Sequence, residues 1–286
     1  MMNKFFWLAI LFFFFSCKED VKNNYNNGSL TLAVDESFYD ISDALSYRYM
    51  QVYPEAKIKI VKVKEREGLK GLLDQKYSTI VMSRPMHQDE IKAYEHKTNM
   101  KFQPAFFAAD ALVFVVPKDS PIQSISEEEI KNQLLDGSRN LILDGANTSN
   151  TDYLADKLKL NTSEMQFSVL KSNEEIIEDI SKFSHHVGVI GLNTISRPYG
   201  EKAQELRSQI KILPINIKGK LIYPDRQNLK DQSYPFTRIL YFLTNEGNFG
   251  IANGFIRYAC TNIGQKIVDK NGLQPYYLFK REVQIK

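Results

Sequence analysis

Phe106-Phe107-Ala108-Ala109-Asp110-Ala111-Leu112-Val113-Phe114-Val115-Val116-Pro117-Lys118-Asp119-Ser120-Pro121 is the stretch on which the reading of this chain turns. Ala111–Val116 is apolar without alternation, the pattern of a strand buried on both faces of an α/β sheet. Pro117 and the Asp-Ser-Pro after it end that strand abruptly. The chain before it reads as one α/β unit and the chain after it as a second. The stretch therefore opens a second lobe, entered by a crossing segment near Pro104–Asp110.

Upstream, Ser29–Val34 is a short strand and Asp35-Glu36-Ser37-Phe38 the loop after it. Ile41, Leu45, Tyr49 and Val52 fall at helical spacing, and Tyr53-Pro54 ends that helix. Ala56–Val63 alternates lysine with isoleucine or valine, as a strand with one exposed face does. A short helix over Glu67–Gln75 and a strand over Ser78–Met82 follow. Ser83-Arg84-Pro85-Met86 then leads into a helix over Gln88–Asn99. Strands alternating with helices predict a parallel sheet with right-handed crossovers.

Downstream, Ser126 caps a helix with Glu127, Glu128 and Glu129 in its first turn, and Asp136-Gly137 ends it. Strands are expected at Asn140–Leu143, Phe167–Leu170, Val187–Leu192 and Gln209–Ile215. Asp144–Thr151 reads as a polar loop opening into a helix over Asp152–Lys159, and Asn173–Lys182 as another helix. After Tyr234-Pro235-Phe236 comes a second buried run, Thr237–Leu243. One long amphipathic helix is expected over Phe249–Asp269, capped by Asn271-Gly272.

A chain of 286 residues is long enough for two lobes with substantial cores. Its net charge of +3 is too small and dispersed to imply nucleic acid. Lys4, the apolar run Phe5–Phe15 and Ser16-Cys17 read as a secretory segment too short to span a bilayer. Phe14-Phe15-Ser16-Cys17 resembles a bacterial lipobox, which implies cleavage before Cys17 and lipid on its thiol. The alternatives are an ordinary signal peptide or an uncleaved anchor. Removing residues 1–16 takes away only Lys4 and leaves the balance 36 basic to 34 acidic, from 37 and 34. The asparagine-rich run to Gly28 reads as a flexible tether. Cys260 then stands alone, with no disulfide partner in the folded part, and reads as a small core residue.

Met82-Ser83-Arg84-Pro85-Met86, Ala109-Asp110-Ala111-Leu112, Val189-Ile190-Gly191, Tyr234-Pro235-Phe236-Thr237-Arg238 and Gly264-Gln265-Lys266-Ile267-Val268 come in a telling order. Together they resemble the PstS-type, phosphate-binding branch of the type II periplasmic solute-binding proteins, over about Ser29 to Tyr276. The resemblance implies an α/β fold of two lobes, each a mostly parallel sheet flanked by helices, joined by two hinge crossings. It divides the chain into residues 1–16 (signal), 17–28 (tether), 29–105 with 235–286 (lobe I) and 106–234 (lobe II). It implies a small oxyanion, phosphate first, in the cleft, and an ABC permease or envelope protein as partner of a membrane-anchored monomer. No Ser-His-Asp order, nucleotide-binding loop or metal cluster is found in the chain, so neither a cofactor nor enzymatic activity is expected.

Backbone N–H groups at helix starts, small hydroxyls and one guanidinium suit an oxyanion. The expected ligand residues are Ser37, Phe38, Ser83, Arg84, Thr148, Ser149, Asn150 and Thr151, with Arg66 and Asp110 as ligand or hinge positions. Ser149 and Thr151 match the family's Ser-Gly-Thr motif, with Asn150 in place of the glycine. Gly145 falls where the family has its arginine, so Arg84 or Arg66 is the expected replacement. Asp35, Glu36 and Lys64-Glu65-Arg66-Glu67 put carboxylates where the family has Gly, Ser and Thr. The alternatives for these residues stay open. In the other reading Ser83 and Ser149 cap helices, Arg84 pairs with Asp89 or Glu90 on the surface, Asp110 holds the hinge, and Arg238 pairs internally. Adjacent His185-His186 lacks a third ligand at metal spacing. The acidic cleft loops suit a second function, an envelope interaction or sensor module whose cleft has lost its ligand.

Overall fold

The computed structural model describes residues 24–183 and 185–277. The secretory segment, Cys17 and the tether up to residue 23 lie outside them. Among the described residues no helix is long and apolar enough to cross a membrane.

The first unit runs β1 (Gly28–Val34), α1 (Tyr39–Val52), β2 (Ala56–Lys62), α2 (Glu65–Leu73), β3 (Thr79–Met82), α3 (Gln88–Thr98) and into β4 (Ala105–Pro117). The second runs α4 (Glu127–Leu135), β5 (Leu141–Leu143), α5 (Ser149–Leu158), β6 (Ser168–Val169), α6 (Asn173–Asp179), β7 (Val187–Gly191), α7 (Asn193–Ser196) and α8 (Glu201–Gln209). It ends with β8 (Ile210–Leu213), β9 (Ile215–Ile217), β10 (Lys220–Ile222) and α9 (Arg226–Lys230). The chain closes with β11 (Thr237–Thr244), α10 (Ile251–Cys260), α11 (Asn262–Lys270) and β12 (Gln274–Pro275).

The main path of strands is β2-β1-β3-β11-β4-β7-β5-β6, with β8 and β12 also paired to β4. β1 pairs in parallel with β2 and β3, and β5 with β6 and β7, as the alternation of strands and helices requires. β11 runs antiparallel between β3 and β4.

β4 is one continuous strand of 13 residues that serves both sheets. Ala105–Ala111 pairs with β11, and Leu112–Val115 with β7. The expected crossing segment and the expected first strand of the second lobe are thus a single element. Its double burial explains the unbroken apolar run. The cores divide along it. Phe107 and Ala108 pack with β1, α1, α10 and α11, while Ala111–Val116 packs with the second unit. Leu69, Leu72, Met82, Tyr94 and Tyr241 fill the other face of the first sheet.

Two expectations are corrected. The long terminal helix is broken at Thr261, whose backbone is extended and whose side chain accepts from Gly264 N–H, starting α11 afresh. A side chain at Gly264 would strike the carbonyls of Tyr258 and Ala259, so glycine permits the tight break. The end of the tether is also docked rather than free. Tyr25 sits edge-on to Tyr53 with ring centroids 5.8 Å apart, and its carbonyl accepts from the Tyr49 hydroxyl.

Candidate functional site

β1 ends at Val34, and Asp35 caps the 3-10 turn Glu36–Phe38 that follows, its carboxylate accepting from Ser37 N–H at 3.1 Å. The same carboxylate reaches across to the second unit. It accepts from the backbone N–H of Ser149 at 3.0 Å and from the Ser149 hydroxyl at 2.8 Å. One buried carboxylate thus serves the starts of two helical segments from the two halves of the molecule.

α5 begins three residues earlier than its hydrophobic pattern indicates. Thr148 is its N-cap, accepting from Thr151 N–H, so Ser149, Asn150 and Thr151 form the first turn. The polar residues expected as loop are fully buried at a helix start that points into the cleft.

Behind Ser149 lies a connected polar core. Asn150 Oδ1 accepts from Ser37 Oγ at 3.2 Å and from Arg238 Nη1 at 2.9 Å. Its Nδ2 donates to Asn173 Oδ1 at 2.8 Å and to Asp144 at 3.1 Å. Asn173 Nδ2 donates back to Ser37 Oγ at 3.0 Å, and Asn193 Nδ2 to the Ser37 carbonyl at 3.0 Å. Thr148 Oγ1 donates to Asp144 at 2.7 Å. Burial, and then the Asp35 charge, push the Asp144 carboxyl up to about 7.

Arg238 crosses the centre of this network from β11. Its Nε donates to Asp110 at 2.9 Å, and its guanidinium lies 4.5 Å from the centroid of the Phe38 ring. A Cβ on Gly191 would stand 2.6 Å from Nη2, so the guanidinium fits only because β7 ends in glycine. Asp110 also accepts from Asn193 N–H at 3.0 Å. Asp110 and Arg238 therefore tie β4, β11 and the β7–α7 turn together where the two cores meet.

A second carboxylate organises the other expected serine. Glu65, first residue of α2, accepts from Ser83 N–H at 2.7 Å and from its hydroxyl at 2.8 Å. Burial pushes the Glu65 carboxyl up to about 8, against the opposing effects of Arg84 and the Ser83 hydrogen bonds. Arg84, expected as a fork for an oxyanion, is spent elsewhere. It makes a bidentate pair with Glu90 at 2.8 and 2.7 Å and lies 3.5 Å from Glu65. Arg66 reaches over the cleft to Asp152 at 2.7 Å, half exposed.

The structure thus brings Ser37, Phe38, Ser149 and Asn150 together with Asp110, with Thr148 and Thr151 in the supporting cap. It places Ser83 and Arg84 in a separate cluster with Glu65. Sequence reasoning missed Asn173 and Asn193, although both follow the carboxyl ends of strands, β6 and β7. It also missed Lys64. A Cβ on Gly145, whose φ is +140°, would stand 3.4 Å from Lys64 Nζ. An ammonium from the other half of the molecule therefore lies beside the position where the arginine is missing. Lys64 helps line a cavity of about 240 Å3 at the mouth, with Asp35, Lys62, Asp144, Thr148 and Lys171.

The profile of the PBP superfamily domain matches residues 22–262. The phosphate-binding protein PstS of Borreliella burgdorferi is 26% identical over 272 residues, covering 88% of this chain and 91% of that protein. Among solved structures, a phosphate-bound ABC transporter substrate-binding protein from Clostridium perfringens matches with TM-score 0.70 at 15% identity, over 87% of this chain and all of the other. An ABC-type phosphate transport receptor from Vibrio cholerae matches with TM-score 0.66 at 16% identity, over 87% of this chain and 100% of that chain.

Proposed function

This chain belongs to the PBP superfamily, and we propose that it is an extracytoplasmic solute-binding protein that takes a small oxyanion, phosphate first, between its lobes. The observation that carries this reading is the convergence of Ser149 N–H, Ser149 Oγ and Ser37 N–H on one carboxylate. Donors so arranged suit any small oxyanion. Phosphate ranks first because the curated relatives are phosphate-binding proteins. Lys64 and Arg238 supply the nearby positive charge. Cys17 carries the lipid anchor in this reading, the lobes are residues 29–105 with 235–286 and residues 106–234, and an ABC permease receives the ligand. Closure is a hinge motion about β4 and the segment before β11, stabilised by contacts from both lobes.

Calorimetric titration of the full chain in detergent with phosphate, beside sulfate, arsenate, molybdate and carboxylates, tests this. Saturable phosphate binding, weakened at least tenfold by Asn150→Ala, is the expected result. Absence of binding by every anion sinks it. A second reading is then left, favoured by Asp35 and Glu65 filling the donor sets: a divergent fold kept as an envelope interaction or sensor module.

A further inference from the structure

The donors that Ser149 offers at the start of α5 are already used by the chain itself. Ser149 presents one N–H and one hydroxyl, and both point at Asp35 from the opposite lobe. An oxyanion and this carboxylate cannot share those donors, and two negative charges at contact distance repel strongly in a buried site. Asp35 is 3% exposed and Ser149 fully buried, so the contact is largely desolvated. It is reinforced across the cleft by Asn193 on Ser37 and by Arg66 on Asp152.

We infer that Asp35 is a built-in anion: it closes the lobes without ligand, and an oxyanion enters only by exchange with it. The exchange half rests on the oxyanion reading above, whereas the closure half stands without it. A tethered carboxylate competes without the cost of association that a free ion bears, so a free anion meets a resident rival at its own subsite. The ligand's apparent affinity falls in proportion to the fraction of molecules with Asp35 displaced. The cavity beside Asp35 is lined by Lys62, Lys64 and Lys171 and also by the carboxyl groups of Glu36, Glu67 and Asp144. It is where the Asp35 carboxylate would swing, and its lysines are where the incoming anion would arrive. Asp35 is thereby the residue that sets the anion threshold of the site.

The test is hydrogen exchange of a peptide spanning Gly145–Tyr153 in the full chain, read by mass spectrometry with fragmentation to resolve Ser149, alongside equilibrium dialysis with inorganic phosphate. Wild type is expected to protect the Ser149 amide with no phosphate present. Asp35→Ser is expected to lose at least tenfold of that protection and to bind phosphate at least tenfold more tightly, with Asp35→Asn intermediate. The Ser83 amide, held within one lobe, reports that the variants remain folded. Unchanged protection at Ser149 in Asp35→Ser overturns the closure. Equal phosphate affinity in wild type and Asp35→Ser overturns the exchange. Lost protection with no phosphate binding by either protein upholds the closure and removes the oxyanion reading instead.

Discussion

Ser83 and Ser149 are the same kind of residue in the same kind of place, each in the loop or turn after a strand and just ahead of, or at, a helix start. Each gives its N–H and its hydroxyl to one buried carboxylate. The difference lies in where the carboxylate comes from. Glu65 belongs to the same α/β unit as Ser83, whereas Asp35 and Ser149 come from opposite units. Under the proposed hinge motion, opening leaves the Glu65 cluster intact but breaks the Asp35 contact. The first then acts on stability alone, and the second is the contact by which we propose an anion is coupled to the distance between lobes. Identical local chemistry thus lies within one unit at one serine and between units at the other.

The largest effect is expected at the Glu65 cluster. Glu65→Ala leaves the Ser83 N–H and hydroxyl buried without their acceptor, while Arg84 keeps Glu90, and should cost about 2 kcal/mol or more. Chemical denaturation checks this, and a loss below about 1 kcal/mol would break the contrast between the two serines. Next comes pH. A carboxyl with a raised folded pKa stabilises the protein while protonated, and that stability is lost as pH climbs from the unfolded value through the folded one. Asp144 moves from 3.8 to about 7 and Glu65 from 4.5 to about 8. Denaturation midpoints should therefore decline from about pH 4 to pH 8. Asp144→Asn should flatten the lower part of that decline and Glu65→Gln the upper part, and a midpoint rising across the window would contradict the assignment.

Smaller effects sharpen the picture. Thr148→Ala removes the cap of α5 and should cost about 1 kcal/mol in thermal denaturation. It should also raise exchange at Thr151 while the Glu65 cluster is untouched. Arg66→Ala removes a half-exposed ion pair across the cleft and should change stability by less than about 1 kcal/mol. A larger loss would mean that Arg66, and not Asp35, dominates closure.

Much of the fold was legible because it rests on short-range patterns. The unbroken apolar run Ala111–Val116, the alternation of β2 and the caps at Ser126 and Gly272 all act within a few residues. The start of α5 was not legible, because Ser149, Asn150 and Thr151 look like loop residues until a tertiary cavity buries them. The break at Thr261 was hidden because the apolar spacing continues through it. Of the site, the serines and the acidic departures were visible, but their pairing was not. Arg84 beside Glu90 was readable as an ion pair from its spacing, and it is one. Asn173 and Asn193 sat at strand ends whose place beside the cleft depends on sheet order.

By itself, the amino-acid sequence determined two α/β units meeting at one buried strand, since hydrophobic period and turn chemistry are local properties of the chain. It also determined that carboxylates stand in the loops where an oxyanion-binding cleft usually has glycine and small hydroxyls. Only the tertiary structure decided that Asp35 faces Ser149 across 114 positions of chain while Glu65 faces Ser83 across 18. Which donor a carboxylate finds depends on how the lobes pack, and no residue pattern along the chain encodes that distance.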